Sequence, residues 1–201
     1  MKLNNYIKKC YQTLPALADY QQPWEITENS NEIIAIIISN LSQEDYNVDG
    51  SIAIHKNAKV ESGVVLKDNI VIEKNCFVGA GAYLRGGVYL AEGVKIGTGC
   101  EIKSSFIFEK SRIAHFNYIG NSIVGEDVNF EAGSVVANHF NETGEDVALL
   151  VDGKKINTGV KKFGALVGDG SRIGANAVLD PGSVLEPGKI IGRLKHFNQF
   201  E

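Results

Sequence analysis

Glycine is absent from the first 49 residues of this 201-residue chain, whereas 22 glycines follow from Gly50 onward. This change of composition argues against one uniform structure along the whole chain. We therefore assign an N-terminal helical segment to 1–49 and a second domain to 50–201.

An excess of charge of one sign is also lacking, because 20 Lys and Arg stand against 24 Asp and Glu and no basic run occurs. Composition thus indicates no surface for polyanions, and we expect no nucleic-acid partner. The longest apolar run, at 33–39, is far too short to cross a bilayer, so no membrane partner is expected. Three cysteines, an odd number, and the lack of a basic and apolar leader indicate a reducing, cytoplasmic compartment.

Two kinds of site are missing as well. The four histidines include no close pair, so a zinc site is not expected and we predict no metal. No glycine-rich loop follows a predicted strand, so the chain is not expected to contain a nucleotide-binding, Rossmann-like half.

The N-terminal segment carries apolar residues at helical spacing, namely Leu3, Ile7, Cys10, Tyr11 and Leu14. A second helix is predicted at about 29–41, after the breaker Pro23-Trp24. We interpret the segment as a small helical cap or arm.

From Ile54 onward, apolar residues recur with a period of six, which matches neither a helix nor a simple alternating strand. The first run of this repeat consists of Ile54, Val60, Leu66, Ile72, Val78, Leu84, Leu90, Ile96, Ile102 and Phe108. The residues four positions further on are also small or apolar: Ala58, Val64, Ile70, Cys76, Ala82, Val88, Val94, Cys100 and Phe106. Each hexad is therefore predicted to turn two side chains inward, and Cys76 and Cys100 are predicted to be core residues.

The repeat slips twice and is then interrupted. It slips first to Ile113 and Ile119, then to Val124, Phe130 and Val136, and it returns at Val167, Ile173, Leu179, Leu185 and Ile191. In the interruption, at about 138–163, the letters VALLVDGKKINTG predict a hairpin with an Asp152-Gly153 turn. We expect this excursion to leave the wall of the domain and to overhang a neighbouring groove.

A short fixed repeat is typical of a solenoid whose coils bury a continuous core by stacking. With three hexads in each coil, residues 18 apart lie roughly 4.8 Å from each other on adjacent coils. Lys67, Arg85 and Lys103 have this spacing, and each follows an inward aliphatic residue. They are predicted to form an outward column of cations. The column is either a solvated ladder offset by acids such as Glu101 or a binding site for phosphate or carboxylate.

His115 follows this column within the letters RIAHFNYIG. A lone histidine is either a structural surface residue or a general base. Asn117, Tyr118, Asn129 and Asn138 add donors and acceptors nearby in place of hydrocarbon. Because the two slips bracket His115, we expect the repeat to break there so that the histidine leaves the core and faces a groove.

The letters EIKSSFIFEKSRIAHFNYIGNSIVGEDVNFEAGSVVAN, at 101–138, resemble a specific family. They are similar to the acetyltransferase half of the bifunctional enzymes that make UDP-N-acetylglucosamine, especially the archaeal-type sugar-1-phosphate nucleotidylyltransferase/acetyltransferases. PWEITENSNEII, GAYLRGGVYL and INTGVKKFGALVGDG resemble further parts of that half, so that the likeness covers about 23–182. It implies a mainly β fold, namely a left-handed parallel β-helix of hexapeptide repeats with a small N-terminal helical segment.

The resemblance also implies an activity and its partners. The family acetylates the amine of glucosamine 1-phosphate with acetyl-CoA, as a homotrimer whose sites lie between subunits. The implied catalytic residues are His115, as the general base, and Asn138. The implied substrate-binding residues are Arg85, Lys103, Tyr118 and Asn129. Backbone at Ala132 and Ala175 is implied to contact acetyl-CoA.

Two interpretations of the function follow. The first is an acetyl-CoA-dependent N-acetyltransferase that acts on an amino sugar phosphate, which the retained base and its polar neighbours favour. The second is a catalytically reduced trimeric paralogue that binds or regulates without acetyl transfer. It is favoured by the acidic stretch at 142–146, where relatives carry basic residues, and by the missing nucleotidylyltransferase domain.

Overall fold

The computed structural model describes all 201 residues and consists mainly of short β-strands. The strands form three largely parallel sheets around one core, and helices are few. The predicted fold class, a mainly β solenoid of hexapeptide repeats with a small N-terminal helical segment, is confirmed.

The three sheets are numbered in the order in which the chain first enters them. Sheet 1 contains β1 (Tyr46–Asp49), β2 (Ile52–His55), β5 (Ile70–Ile72), β8 (Val88–Leu90), β11 (Phe106–Ile107), β14 (Ile123–Val124), β19 (Ala165–Val167) and β22 (Ser183–Leu185). Sheet 2 contains β3 (Lys59–Val60), β6 (Phe77–Val78), β9 (Lys95–Ile96), β12 (Arg112–Ile113), β15 (Asn129–Phe130), β20 (Arg172–Ile173) and β23 (Ile190–Ile191). Sheet 3 contains β4 (Val65–Leu66), β7 (Tyr83–Arg85), β10 (Glu101–Lys103), β13 (Tyr118–Gly120), β16 (Val135–Val136), β21 (Val178–Leu179) and β24 (His196–Phe197).

Each coil gives one strand to each sheet, and inward side chains stack from coil to coil. The register places Ile54 on Ile72 and Ile72 on Leu90, so the predicted stack of three coils from Ile54 onward is confirmed. The inward aliphatic residues of all coils form one continuous core. Burial of each such side chain contributes about 1.5–3 kcal/mol, which makes this core the main source of stability.

The repeat changes register one hexad earlier than the sequence predicted. Ile107, and not Phe108, stacks on Leu90 and on Val124. The predicted inward positions of Phe106 and Phe108 are therefore wrong, because both rings are buried outside the prism. A pattern of apolar letters does not distinguish these two environments.

The two slips, at which successive core residues are five positions apart and not six, lie at corners between sheet 3 and sheet 1. At the end of the second coil this corner contains Gly86 and Gly87, both with positive φ. In the next two coils a single residue in the left-handed region makes the turn, Ser104 with φ 47° and then Asn121 with φ 46°. One residue fewer at the corner shortens the coil, and this is the physical origin of the slips.

The N-terminal segment covers the outer face of sheet 1. Its helices are α1 (Cys10–Thr13), α2 (Pro23–Glu28) and α3 (Ser30–Ser39), with 3₁₀ turns at Leu3–Asn5 and Pro15–Asp19. The first 20 residues thus form short turns instead of the helix that their apolar spacing suggested, and Pro15 begins a new turn directly after Leu14. The helices end before the predicted boundary at residue 49, because Tyr46–Asp49 forms β1.

The segment is attached by both packing and polar contacts. Its apolar side chains and the outward aromatic residues of sheet 1 form a second buried cluster, which includes Tyr89, Phe106 and Phe108. The Asp169 carboxylate accepts hydrogen bonds from the backbone N–H groups of Lys8, at 3.0 Å, and Glu126, at 2.8 Å. The outer face of sheet 1 is therefore largely buried from β5 onward, whereas its first strand β1 and the outer faces of sheets 2 and 3 remain open.

The excursion leaves the wall of the solenoid and contains the predicted hairpin. Its strands are β17 (Ala148–Val151) and β18 (Lys154–Asn157), and Asp152 and Gly153 both have positive φ in the turn. The hairpin packs on its own chain, where Phe163 lies edge-on to Trp24 at 6.4 Å between ring centroids. The stretch at 139–146, before the hairpin, is largely exposed.

No helix in the structure is both long and apolar enough to span a membrane.

The inward cysteines give a direct test of the fold. Cys76 is 2% exposed and Cys100 is 1% exposed, and burial raises the pKa of the Cys76 thiol to about 12. Because the thiolate is the reactive form, we expect both thiols to resist a disulfide reagent in the native protein and to react on unfolding. Rapid labelling of either cysteine without loss of structure would contradict the assignment of these residues to the core.

Candidate functional site

The outer face of sheet 3 carries two parallel columns of side chains. Register pairs Arg85 with Lys103 and Lys103 with Gly120. The exposed Lys67 continues this column at its start, since its N–H donates to the carbonyl of Leu84. The outward column of three cations that the sequence predicts is therefore present.

Only one of these cations is paired with an acid. The Glu101 carboxylate accepts from Nε of Arg85 at 2.8 Å and lies 2.6 Å from its Nη2. Neither Lys67 nor Lys103 makes a salt bridge. Glu101 thus bonds to Arg85 alone and acts on Lys103 only through its charge, so the column keeps an excess of positive charge.

Lys103 shows the effect of this excess. Partial burial, followed by the positive charges of Lys162 and Arg85, lowers the pKa of Lys103. Charges of one sign at such short range repel each other unless an anion lies among them. The cluster is therefore suited to bind a phosphate or a carboxylate.

Tyr118 and Asn138 lie at the other end of the cation column, over Gly120. A Cβ atom on Gly120 would lie 2.6 Å from the Tyr118 hydroxyl oxygen and 2.9 Å from Nδ2 of Asn138. Burial, followed by the charge of Glu101, raises the pKa of Tyr118. Gly120 has no side chain, and this leaves room in the column for the Tyr118 hydroxyl and the Asn138 amide beside the cations.

Asn138 is fixed by contacts at both ends of the excursion. Its Nδ2 donates to Oδ1 of Asn121 at 2.7 Å, and its backbone carbonyl accepts from the N–H of Phe163 at 2.9 Å. Nδ1 of His139 lies 3.3 Å from Oδ1 of Asn138. The amide is 5% exposed, so its position is set by the fold.

His115 lies at a corner between sheet 2 and sheet 3 and is exposed. The expected break of the repeat at this point is wrong, because Ile113 and Ile119 keep their core positions on either side of it. Corner residues already point outward in this fold, so no slip is needed to expose the ring. The side chain of Asn117, next to it, is buried and binds the carbonyl of His115 at 3.2 Å and the N–H of Ser134 at 2.8 Å.

Ala132 and Ala175 follow His115 on the same corner of later coils. The N–H of Gly133 donates to the carbonyl of His115, and the N–H of Asn176 donates to that of Ala132. The N–H of Ala132 has no hydrogen-bond partner in the protein, whereas that of Ala175 donates to Glu131 at 2.8 Å. Of these two predicted contacts with the coenzyme, only Ala132 has a free backbone donor.

Asn129 is the predicted site residue that the structure separates from the others. It lies on β15 in sheet 2, where it lines a groove with Glu131 and Arg172. Tyr118 belongs to sheet 3 and Asn138 follows that sheet. These residues can therefore meet in one site only if a second copy of the chain brings its own sheet 2 there.

The structure adds two residues that the sequence did not single out. Gly120 interrupts a column of cations, and only the register of β13 reveals that position. The charge of Lys162 lowers the pKa of Lys103, because the excursion folds back so that the N–H of Gly164 donates to the carbonyl of Asn121. The letters INTGVKKFG contain this lysine, but they carry no sign of where it lies.

No group of three or more histidine, cysteine or acidic side chains could hold a metal ion.

Comparison with known proteins relates the chain to one group. The family described as "Bacterial transferase hexapeptide (six repeats)" matches 51–86, and "Hexapeptide repeat of succinyl-transferase" matches 156–181. A bifunctional sugar-1-phosphate nucleotidylyltransferase/acetyltransferase of Sulfurisphaera tokodaii is 36% identical over 168 residues, which are 81% of this chain and 41% of that protein. The bifunctional protein GlmU of Methanococcus maripaludis is 37% identical over 181 residues, with 87% and 43% covered.

The chain spans less than half the length of these curated relatives. Among solved structures, a hexapeptide transferase family protein from Anaplasma phagocytophilum has a TM-score of 0.51 at 17% identity. The alignment covers 71% of this chain and 74% of that one. This likeness supports the fold.

The crowding at Gly120 yields a prediction with a matched control. Gly120→Ala should lower the free energy of unfolding by about 1–3 kcal/mol, because Asn138 is held by Asn121 and cannot move aside freely. Gly192→Ala should change it little, since the nearest atom to its new Cβ is 3.5 Å away. Urea unfolding of both variants tests this difference. Equal stability of the two would contradict the packing described here.

Proposed function

The chain belongs to the hexapeptide-repeat transferases, and we propose that it is an acyltransferase. It resembles the acetyltransferase half of the bifunctional sugar-1-phosphate nucleotidylyltransferase/acetyltransferases. Its proposed reaction transfers the acetyl group of acetyl-CoA to the amine of an amino sugar phosphate such as glucosamine 1-phosphate.

One observation carries the proposal. A cation cluster without enough acid to neutralise it, a buried amide and an exposed histidine all border sheet 3 of the same solenoid. An amino sugar phosphate offers complementary groups, namely an anion for Arg85 and Lys103 and an amine for the histidine.

His115 acts as the general base in the proposed reaction. It accepts the proton that the amine loses as the nitrogen forms its bond to the thioester carbonyl carbon. The carbon–sulfur bond breaks, and the thiolate of coenzyme A leaves with the electron pair. Tyr118 and Asn138 orient the acceptor over Gly120, so that the amine and the base meet in one geometry.

Residues at the corner beside His115 fit acetyl-CoA as the second substrate. Ala132 and Ala175 carry small side chains, and the N–H of Ala132 is free to donate to the thioester oxygen. Acetyl-CoA supplies the activated acyl group, while the chain holds it along the corner.

We propose further that the active form is a homotrimer. Asn129 lies on sheet 2, so it reaches the acceptor only from a second copy whose sheet 2 faces sheet 3 of the first. Sheet 1 is covered by the N-terminal segment and the hairpin, which leaves sheets 2 and 3 available for contacts between copies.

The acidic stretch at 142–146 does not oppose this proposal. Its side chains are exposed, and Asp146 lies 2.8 Å from the ammonium of Lys161. The proposed phosphate site therefore keeps its positive charge, which weakens the case for a paralogue without catalysis.

A coenzyme A release assay with a panel of amino sugars and their 1-phosphates tests the function. We expect acetyl-CoA-dependent turnover with at least one phosphorylated amino sugar. Uniformly absent turnover, with acetyl-CoA still bound, would replace this proposal by the binding or regulatory paralogue.

A comparison of His115 with His139 identifies the base. His115→Ala should lower turnover by about 10²–10⁴-fold, the usual contribution of a general base, while the oligomer and coenzyme binding persist. His139→Ala is the control, because its ring lies near Asn138 but belongs to the excursion. Steady-state rates decide between them, and loss of turnover in His139→Ala alone would transfer the role to that residue.

A further inference from the structure

The corner between sheet 2 and sheet 3 has the same backbone conformation in every coil. It consists of four residues, and the third of them always lies in the left-handed region. Glycine fills this position in four coils and asparagine in one, and these are the residues that tolerate the conformation best. From the first coil to the last, the third residues are Gly63, Gly81, Gly99, Phe116, Gly133, Asn176 and Leu194.

Phe116 departs from this pattern without a gain in burial. Its φ is 55°, which is unfavourable for a bulky side chain, and 69% of its surface is exposed. Residues in such conformations persist where the surrounding structure holds them, and they concentrate at functional sites. Phe116 directly follows His115, the proposed general base.

The ring of Phe116 packs on a glycine of the preceding coil. A Cβ atom on Gly99 would lie 2.6 Å from Cδ1 and 2.7 Å from Cε1 of this ring, so the contact needs a residue without a side chain. The backbone N–H of Phe116 donates to the carbonyl of Thr98 at 3.0 Å. Both the ring and the backbone of Phe116 are therefore attached to the preceding coil.

His115 lies over the other glycine of the same corner. A Cβ atom on Gly97 would lie 3.2 Å from Nδ1 of His115 and would overlap the carbonyl oxygen of Ala114. The two glycines thus form a floor beneath the corner, with His115 above Gly97 and Phe116 above Gly99.

No hydrogen bond within the chain orients the ring of His115. One ring nitrogen of each other histidine makes such a bond, namely in His55, His139 and His196. The backbone carbonyl of His115 is fixed, because it accepts from the N–H of Gly133 at 2.9 Å and from the amide of Asn117 at 3.2 Å. The direction of the ring therefore depends on how firmly the corner is packed.

We propose that Phe116 is a positioning residue for the general base, because its ring on Gly99 holds the corner so that His115 faces the acceptor. The inference rests on the proposed function, in which His115 takes the proton of the amine. A displacement of about 1 Å can lower turnover by roughly 100-fold, so a ring that limits movement of the corner affects the rate without contact with the substrate. This role accounts for a bulky residue where most other coils have glycine.

Phe116→Gly separates positioning from stability. Glycine relieves the unfavourable φ, so the midpoint of urea unfolding should stay the same or rise. Turnover should nevertheless fall by about 10- to 100-fold, with the KM of both substrates changed by less than about twofold. Phe116→Leu should restore most of the turnover, since Leu194 shows that this corner accepts leucine at φ 57°. Leu194→Gly is the matched control, because it relieves the same strain three coils away and should leave turnover unchanged.

Two substitutions of glycine test the contact beneath the ring. Gly99→Ala directs its new Cβ into the ring of Phe116 and should lower turnover by about tenfold or more. Gly81→Ala is its control, because φ is similar, 75° against 70°, and the nearest atom to the new Cβ is 3.7 Å away. Both variants should lose stability from backbone strain, whereas only Gly99→Ala should lose turnover.

The mobility of the His115 ring provides a readout that needs no turnover. We expect NMR relaxation of the ring C–H groups to show a more mobile His115 in Phe116→Gly than in the unmodified chain or in Leu194→Gly. The His115 signal is identified by its absence from His115→Ala. A ring whose motion is unchanged in Phe116→Gly would overturn the inference, whatever the turnover of that variant. Loss of turnover only where sedimentation shows a dissociated oligomer would assign Phe116 to an interface and would also overturn it.

The NMR measurement separates this inference from the proposed function. A ring that becomes mobile in Phe116→Gly, in a chain that transfers no acetyl group to any amino sugar, would support the positioning of His115 and refute the activity. Unchanged ring motion in a chain that does transfer acetyl groups would refute the inference alone.

Discussion

The inward turn of two side chains in every hexad constrains the rest of this molecule. A coil closes only if its aliphatic residues meet at the centre, and adjacent coils then stack roughly 4.8 Å apart. Polar groups that carry chemistry can lie only on the outer faces and at the corners. The solenoid converts separation in sequence into columns, and the cations at Arg85 and Lys103 are adjacent for that reason.

Coverage of one face decides where chemistry can occur. The N-terminal segment and the excursion hairpin bury sheet 1, where Phe106 and Phe108 take part in the second apolar cluster. The end of the same excursion also runs along the edge of sheet 3, where the N–H of Gly164 donates to the carbonyl of Asn121, and the charge of Lys162 there lowers the pKa of Lys103. One insertion therefore closes an apolar face and supplies a cation to a polar one.

The sequence predicted those parts of the structure that depend on the repeat alone. The coils, the buried Cys76 and Cys100 and the column of cations all follow from a six-residue period. The second slip, between Ile119 and Val124, was predicted correctly, whereas the first was placed one hexad too late because Phe106 and Phe108 are apolar in either environment. The place of Lys162 depends on the path of the excursion, which no local pattern encodes.

The residues proposed for catalysis and for acceptor binding do not all lie together in a single chain. Asn129 faces away from Tyr118, and the exposed Phe116 beside His115 has 69% of its surface open to solvent. Both features are explained if a second copy of the chain covers this corner and contributes its own sheet 2. We accordingly propose, as the central claim, that each active site combines His115, Tyr118 and Asn138 of one copy with Asn129 of another.

Co-expression of His115→Ala and Asn129→Ala chains in one cell, followed by a coenzyme A release assay on the mixed oligomers, tests this claim most directly. Each variant alone should be inactive. With equal amounts of both chains, random assembly should restore about one site in four, because such a site draws His115 and Asn129 from the two different variants. Mixed oligomers without activity, although they assemble and bind acetyl-CoA, would place the complete site within a single chain and contradict the account.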